Sequence, residues 1–205
     1  MHRSAVVLGL LAMLSASDLV AQTLGTPVFK SPYRAFRTSE LAGYLSDPGD
    51  GYNLALEGEY RRARPRFDFG LHLGFADIDG TDEAQFGAGI DGRILVSRHS
   101  QDFPLDVSLT GGFGALFFDG DAGFLVPLGA TFGRQVLLEG SNVSFTPYVH
   151  PVIAPTFGSD RVVDEDAQFG LGLGVDISLS PRWEVRVSGA LGDYEGVAVG
   201  LAWHR

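Results

Sequence analysis

Apolar residues recur at every second position through most of this chain, most regularly over residues 168–179, QFGLGLGVDISL. Phe169, Leu171, Leu173, Val175, Ile177 and Leu179 fall on one face, with Gln168, Gly170, Gly172, Gly174, Asp176 and Ser178 on the other. A period of two marks a strand with one apolar face. The same alternation covers 52–61, 67–76, 85–96, 105–117, 124–132, 143–153, 183–191 and 197–203. Turn residues separate these runs, and about ten residues is what a tilted strand needs to cross a bilayer.

Single-chain barrels close with an even number of strands. The poorly alternating stretch 35–45 is therefore read as a tenth strand, with eight as the alternative count. The turns then fall into two alternating classes. Those at 47–51, 77–83, 119–121, 158–166 and 192–195 are acidic and Gly-rich, whereas those at 64–65, 98–104, 134–142 and 180–182 carry arginines. The predicted architecture is an all-β, antiparallel, up-and-down transmembrane barrel over residues 35–205, with the acidic turns outside and the arginine-bearing turns in the periplasm. Pro147 and Pro151 cannot donate to a ladder, so local distortion is expected over 143–153.

Residues 1–21 read as a secretory signal peptide, with His2 and Arg3, an apolar run over 5–14 and small residues up to Ala21. The apolar part is too short for a spanning helix. Residues 22–34, with Pro27 and Pro32, are read as an irregular periplasmic lead-in. The 205 residues suit one domain, and the absence of Cys excludes disulfides and thiolate sites. A net charge of -10, with Lys30 the only lysine, argues against nucleic acid as a partner.

Alternation alone fits a soluble core or a lipid-facing wall. Three features favour the wall. The polar face is dominated by Gly, Ser, Asp and Thr, unlike a soluble exterior. Aromatics gather at both strand ends: Tyr52, Phe75, Phe86, Phe117, Phe124 and Phe169 near the acidic turns, and Tyr60, Phe67, Phe132, Phe145, Trp183 and Trp203 near the others. Such rings resemble interfacial girdles. The middle of the apolar face carries no charge, as a lipid-facing band requires. The competing reading is a soluble periplasmic barrel with the faces exchanged and an apolar ligand inside.

With these features the chain resembles the small, porin-like outer-membrane β-barrel proteins of Gram-negative bacteria. The resemblance implies outer-membrane lipid as surroundings and the barrel-assembly machinery as a partner during biogenesis. That family tends to end on an aromatic residue. Here Val197, Val199, Leu201 and Trp203 alternate, but His204 and Arg205 follow.

The inward face would carry Glu57, Glu59, Arg61, Asp68, His72, Asp91, Arg93, Asp106, His150, Asp176, Glu184 and Arg186. Charges in a narrow barrel must be paired or hydrated. An ion-pair network that fills a structural barrel is the first reading. A narrow, cation-preferring pore is the second, because carboxylates outnumber arginines and acidic rings select cations. The sequence points to no catalytic group, cofactor or metal-ligand set. A rim protease would use Asp77 and Asp79, but His72 and His150 fall deeper in the wall, and no Ser/His motif suggests a lipid-modifying enzyme. The acidic loops at 77–83 and 160–166 suggest at most weak divalent-cation contacts, since neither has EF-hand spacing.

Overall fold

The computed structural model describes residues 24, 26–49, 51–81, 83–163, 167–193 and 195–205, so the predicted signal peptide lies outside the described residues. Period-two alternation becomes twelve strands: β1 (Ser39–Asp47), β2 (Tyr52–Ala63), β3 (Phe67–Ile78), β4 (Ala84–Ser97), β5 (Asp106–Phe118), β6 (Asp121–Leu125), β7 (Leu128–Gly133), β8 (Val136–Leu137), β9 (Ser144–Gly158), β10 (Ala167–Ser180), β11 (Trp183–Gly192) and β12 (Val197–His204). All pairings are antiparallel, and β12 returns to β1 in a ladder from Glu40–His204 to Asp47–Val197. The sheet is thereby closed and has no free edge.

The wall has ten staves, not eight, because β6 and β7 form one. Both lie between β5 and β9 in a single register, interrupted at Val126-Pro127. The expected distortion near Pro147 and Pro151 falls in this neighbour. β9 runs unbroken against β10, while its pairing with β7 holds at Leu128–Ile153, Gly129–Val152, Phe132–Val149 and Gly133–Tyr148 and lapses between them, opposite Pro151. A proline offers that neighbour no N–H. Asp119 and Gly120 both have positive φ, 47° and 84°. This is the two-residue turn that an Asp-Gly pair favours between right-twisting strands. The first strand begins later than the predicted 35–45, at Ser39, because Phe36 turns inward against the ring of His204, 6.0 Å away.

The apolar face points outward. Leu73 is 69% exposed, and Leu71, Ile90, Leu109, Leu128, Val199 and Leu201 also stand open on the exterior. The interior holds Glu57, Glu59, Arg61, Asp68, His72, His150, Asp176 and Glu184, all buried. A soluble barrel with an apolar ligand inside needs the reverse arrangement. The aromatics of the predicted girdles stand on the outer side, except Tyr52. Phe75, Phe86 and Phe117 are direct cross-strand neighbours, as are Trp183 and Trp203 at the other end. A register shift between Tyr52 and Leu54 turns Tyr52 inward, where its hydroxyl donates to Gln85 at 3.1 Å.

Candidate functional site: the occupied lumen

Residues 26–33, expected as a periplasmic lead-in, run irregularly through the inside of the barrel, every one buried except the half-buried Tyr33. Leu24 lies against Gly74 and Gly87, toward the acidic turns. Arg34 reaches the carbonyls of Arg64 and Phe67 at the arginine-bearing end, at 2.7 and 3.0 Å. The segment therefore spans the lumen before β1 starts.

An irregular chain cannot satisfy its own backbone, so buried carbonyls need partners from elsewhere. The wall supplies them. Ser188 donates to the carbonyl of Pro27 at 2.6 Å, Tyr148 to Phe29 at 3.0 Å, Thr131 to Lys30 at 2.7 Å and Ser108 to Pro32 at 3.1 Å. Arg93 donates to the carbonyls of Ser31 and Tyr33. These donors come from β11, β9, β7, β5 and β4, so the segment is gripped from most of the circumference.

Side chains complete the fit. The Lys30 ammonium lies 2.9 Å from Glu59 and 3.5 Å from Asp91. Ser31 donates to Asp176 at 2.5 Å, and Thr26 to Glu57. The backbone N–H of Lys30 donates to Nδ1 of His150 at 3.3 Å, and the ring of Phe29 meets that imidazole edge-on, with centroids 5.8 Å apart. At the acidic mouth Val162 and Val163 fold inward against Leu116 and Leu125, forming an apolar cap.

All twelve residues assigned to the inward face lie inside the barrel. Eleven of them join Lys30 in the network or touch the segment. Arg61 bridges Glu59 at 2.5 Å, Asp91 at 2.7 Å and Asp68. His72 sits between Glu57 and Asp91, 2.7 Å from each, and Arg93 binds Asp68 at 3.1 Å. Across the closing seam, Arg186 grips Glu40 at 2.8 and 2.6 Å and Glu184 at 2.9 and 2.7 Å. Two of the twelve stand apart from these ion pairs. Asp106 faces His99 of the β4–β5 turn, 3.0 Å away, and His150 contacts Thr110 at 2.8 Å as well as the segment.

Sequence reasoning missed Lys30, Glu40, Tyr44 and His204. The Tyr44 hydroxyl joins the two halves of the network, donating to Glu59 at 2.9 Å and accepting from Arg186 at 2.7 Å. His204 lies 2.9 Å from Glu40, and the Arg205 carbonyl accepts from the N–H groups of Thr38 and Ser39. The two residues after Trp203 thus complete the seam. For His204 the signal was present, since it follows from extending the alternation of 197–203 by one step, whereas Glu40 lay within the poorly alternating stretch 35–45.

Among the described residues two groups have metal-ligand spacing, Glu40 with Glu184 and His204, and Glu59 with His72 and Asp91. Arg186 stands in the first and Lys30 and Arg61 in the second, supplying the positive charge a metal ion would bring. Asp77, assigned to a rim enzyme, accepts from Asn53 at 3.1 Å, while His72 and His150 are held deep in the lumen. Asp82 and residues 164–166 of the acidic loops lie outside the described residues.

No protein-family model matches the sequence, and neither does any curated protein. Among solved structures, the β-domain of the Bordetella autotransporter BrkA is similar over 82% of this chain and 98% of its own, at 16% identity and a TM-score of 0.51. The KdgM porin is similar over 81% of this chain and 99% of its own, at 9% identity and a TM-score of 0.45. A bacterial polysaccharide outer membrane secretin is similar over 74% of this chain, at 12% identity and a TM-score of 0.45, and this chain covers 56% of it. The likeness to the autotransporter β-domain is one of architecture: the chain has the fold of a small, closed, antiparallel β-barrel of the kind that outer-membrane proteins form.

Proposed function

We propose that this protein is an integral outer-membrane barrel whose lumen is closed by its own N-terminal segment, so that at rest it is a structural wall element and not an open pore. The observation that carries this reading is the set of wall donors on the carbonyls of Pro27, Phe29, Lys30, Ser31, Pro32 and Tyr33. A chain merely trapped in a water-filled channel would hydrate those groups instead. The outward apolar face and the cross-strand aromatic rows support placement in a membrane.

A second reading concerns the lumen once the segment has left. Among the described residues, Glu40, Glu57, Glu59, Asp68, Asp91, Asp106, Asp176 and Glu184 would then face only Arg61, Arg93 and Arg186 as permanent cations. That excess of carboxylate favours cations. The same site would thus conduct cations when opened and nothing when closed.

Lys30 is the only lysine, which provides a direct test. Full-length protein extracted from urea-washed outer membranes should migrate differently before and after boiling, show no steady conductance in a planar bilayer, and resist amine-reactive labelling at Lys30 until it is denatured. Steady open conductance in the folded protein, or rapid labelling of Lys30, would refute the closed-lumen reading. Release of the protein by the urea wash would refute the membrane placement.

A further inference from the structure

Where the lumenal segment reaches the arginine-bearing turns, the structure contains a cavity of about 90 Å³. Arg34 of the segment, Arg66 of the β2–β3 turn, Arg93 of β4 and Arg98 of the β4–β5 turn line it, together with Asp68 and Asp106. Both carboxylates already have partners. Asp68 accepts from Arg61 at 2.9 Å and Arg93 at 3.1 Å, and Asp106 accepts the His99 backbone N–H at 2.8 Å. Arg93 is also occupied, by Asp68 and by the carbonyls of Ser31 and Tyr33.

The other three arginines are different. Among the described residues none of Arg34, Arg66 and Arg98 is paired with a carboxylate, whereas Arg61, Arg93 and Arg186 all are. Arg34 is held in place through one guanidinium nitrogen on the carbonyls of Arg64 and Phe67, with its carbon 5.7 Å from the centroid of Phe36. Burial lowers its pKa most; Asp68 raises it, and Arg93, Arg61 and Arg98 lower it again. The cavity therefore concentrates more positive charge than its own acids neutralise. A larger depression of about 560 Å³ shares Tyr33, Arg98 and Asp106 with it and extends to Arg134.

We propose that this basin binds an oxyanion of the phosphate class, held by the guanidinium groups of Arg34, Arg66 and Arg98. A guanidinium presents parallel N–H groups that match two oxygens of such an anion, and its charge persists at any physiological pH. A cavity of about 90 Å³ has room for such a group. Whatever carries the group would lie in the adjoining depression. The anion has two sources, free inorganic phosphate and the headgroup of an anionic phospholipid, and the exposed Val136 and Leu137 beside the depression would meet the acyl region of the latter. This inference shares with the closed-lumen reading the seating of the segment that brings Arg34 to the basin, and its test reads anion binding, which is separate from conductance.

The test uses full-length protein and the double variant Arg66→Gln/Arg98→Gln, whose two sites are exposed turn positions. Heat-modifiable migration first establishes that the variant barrel is folded. Inorganic phosphate is then titrated into detergent-solubilised protein with calorimetric readout. In parallel, both proteins are placed in nanodiscs of phosphatidylcholine with a minor fraction of phosphatidylglycerol, and the lipid retained after delipidation is measured. Saturable phosphate binding that weakens about tenfold or more in the variant establishes the site with free phosphate as ligand. Phosphatidylglycerol retained by the wild type and lost from the variant establishes it with a lipid headgroup. No binding in either arm, or binding that survives both substitutions, overturns the proposal.

Discussion

The ring of Phe29 fills the space in which a Cβ on Gly172 would stand. The same relationship recurs along the lumen. Leu24 lies where side chains on Gly74 and Gly87 would project, and Pro32 lies 3.2 Å from where a Cβ on Gly133 would be. Glycines on the inner face are thus the shape of the wall around the segment, and their abundance follows from an interior that must hold a chain as well as side chains.

Gly172→Val should therefore act on the segment before it acts on the barrel. Overpacking at such a contact costs about 1–3 kcal/mol, and the segment is the partner able to move. Expected are a lower midpoint for heat-induced loss of the compact band on detergent gels and faster amine labelling of Lys30. Combining Gly172→Val with Phe29→Ala should cost clearly less than the sum of the two single changes, because the branched side chain then occupies the vacated space. Additive costs would mean that the two residues do not share that space.

Nine of the ten staves were legible because each carries a period of two, the first was added only because a closed barrel needs an even count, and the segregation of acidic from arginine-bearing turns followed once the staves were counted. The inward residues were legible for the same reason, since alternation fixes a face without knowledge of any partner. The lumenal segment was not. Residues 26–33 have no period, and what holds them are donors such as Ser108, Thr131 and Ser188, distant in sequence and individually ordinary. Tyr52 was misplaced because one bulge reverses the face of everything beyond it. Phe36 and Glu40 were obscured together, because a strand drawn from 35 mixes a lumenal turn with the true start at Ser39.

Leu73 separates a membrane wall from a soluble one. It stands mid-strand on β3, 69% exposed, with only apolar neighbours opposite it at Gly58 and Ala88. In water Leu73→Arg would be close to neutral. In a bilayer midplane it should cost roughly 2–4 kcal/mol, and Trp183→Arg, near an interface, roughly 0–1 kcal/mol. Urea titration of refolding into lipid vesicles measures both. Equal, negligible effects would remove the support that the outer face gives to membrane placement.

Arg186 holds β11 to β1 across the last stave. Its guanidinium lies between Glu40 and Glu184, whose side chains are 0% and 2% exposed. Arg186→Met would leave two buried carboxylates without their main counter-charge, a change expected to cost about 3–5 kcal/mol. Arg186→Lys should recover part of this, because charge is kept while the two-pronged geometry is lost. Adding Glu40→Gln and Glu184→Gln to Arg186→Met should recover most of it. Thermal midpoints in detergent report all three, and a loss that the two Gln substitutions leave untouched would show that Arg186 acts through packing alone.

Lys30 tests what the segment does, as distinct from how it is held. The ammonium faces Glu59 and Asp91, and Arg61 also contacts both acids. Lys30→Glu replaces that attraction with like-charge repulsion in a site that excludes water, while Arg61 still compensates the wall. The segment, which is continuous with the wall only through residues 34–38, is then the element that gives way. The expected result is a barrel that still shows heat-modifiable migration but now passes current, with a reversal potential under a salt gradient displaced toward the cation. Lys30→Arg, which preserves charge, should remain closed. A Lys30→Glu barrel that stays folded and silent would mean that the carbonyl contacts alone retain the segment, and an anion-selective current would mean that the arginine-lined end, not the acidic interior, governs passage.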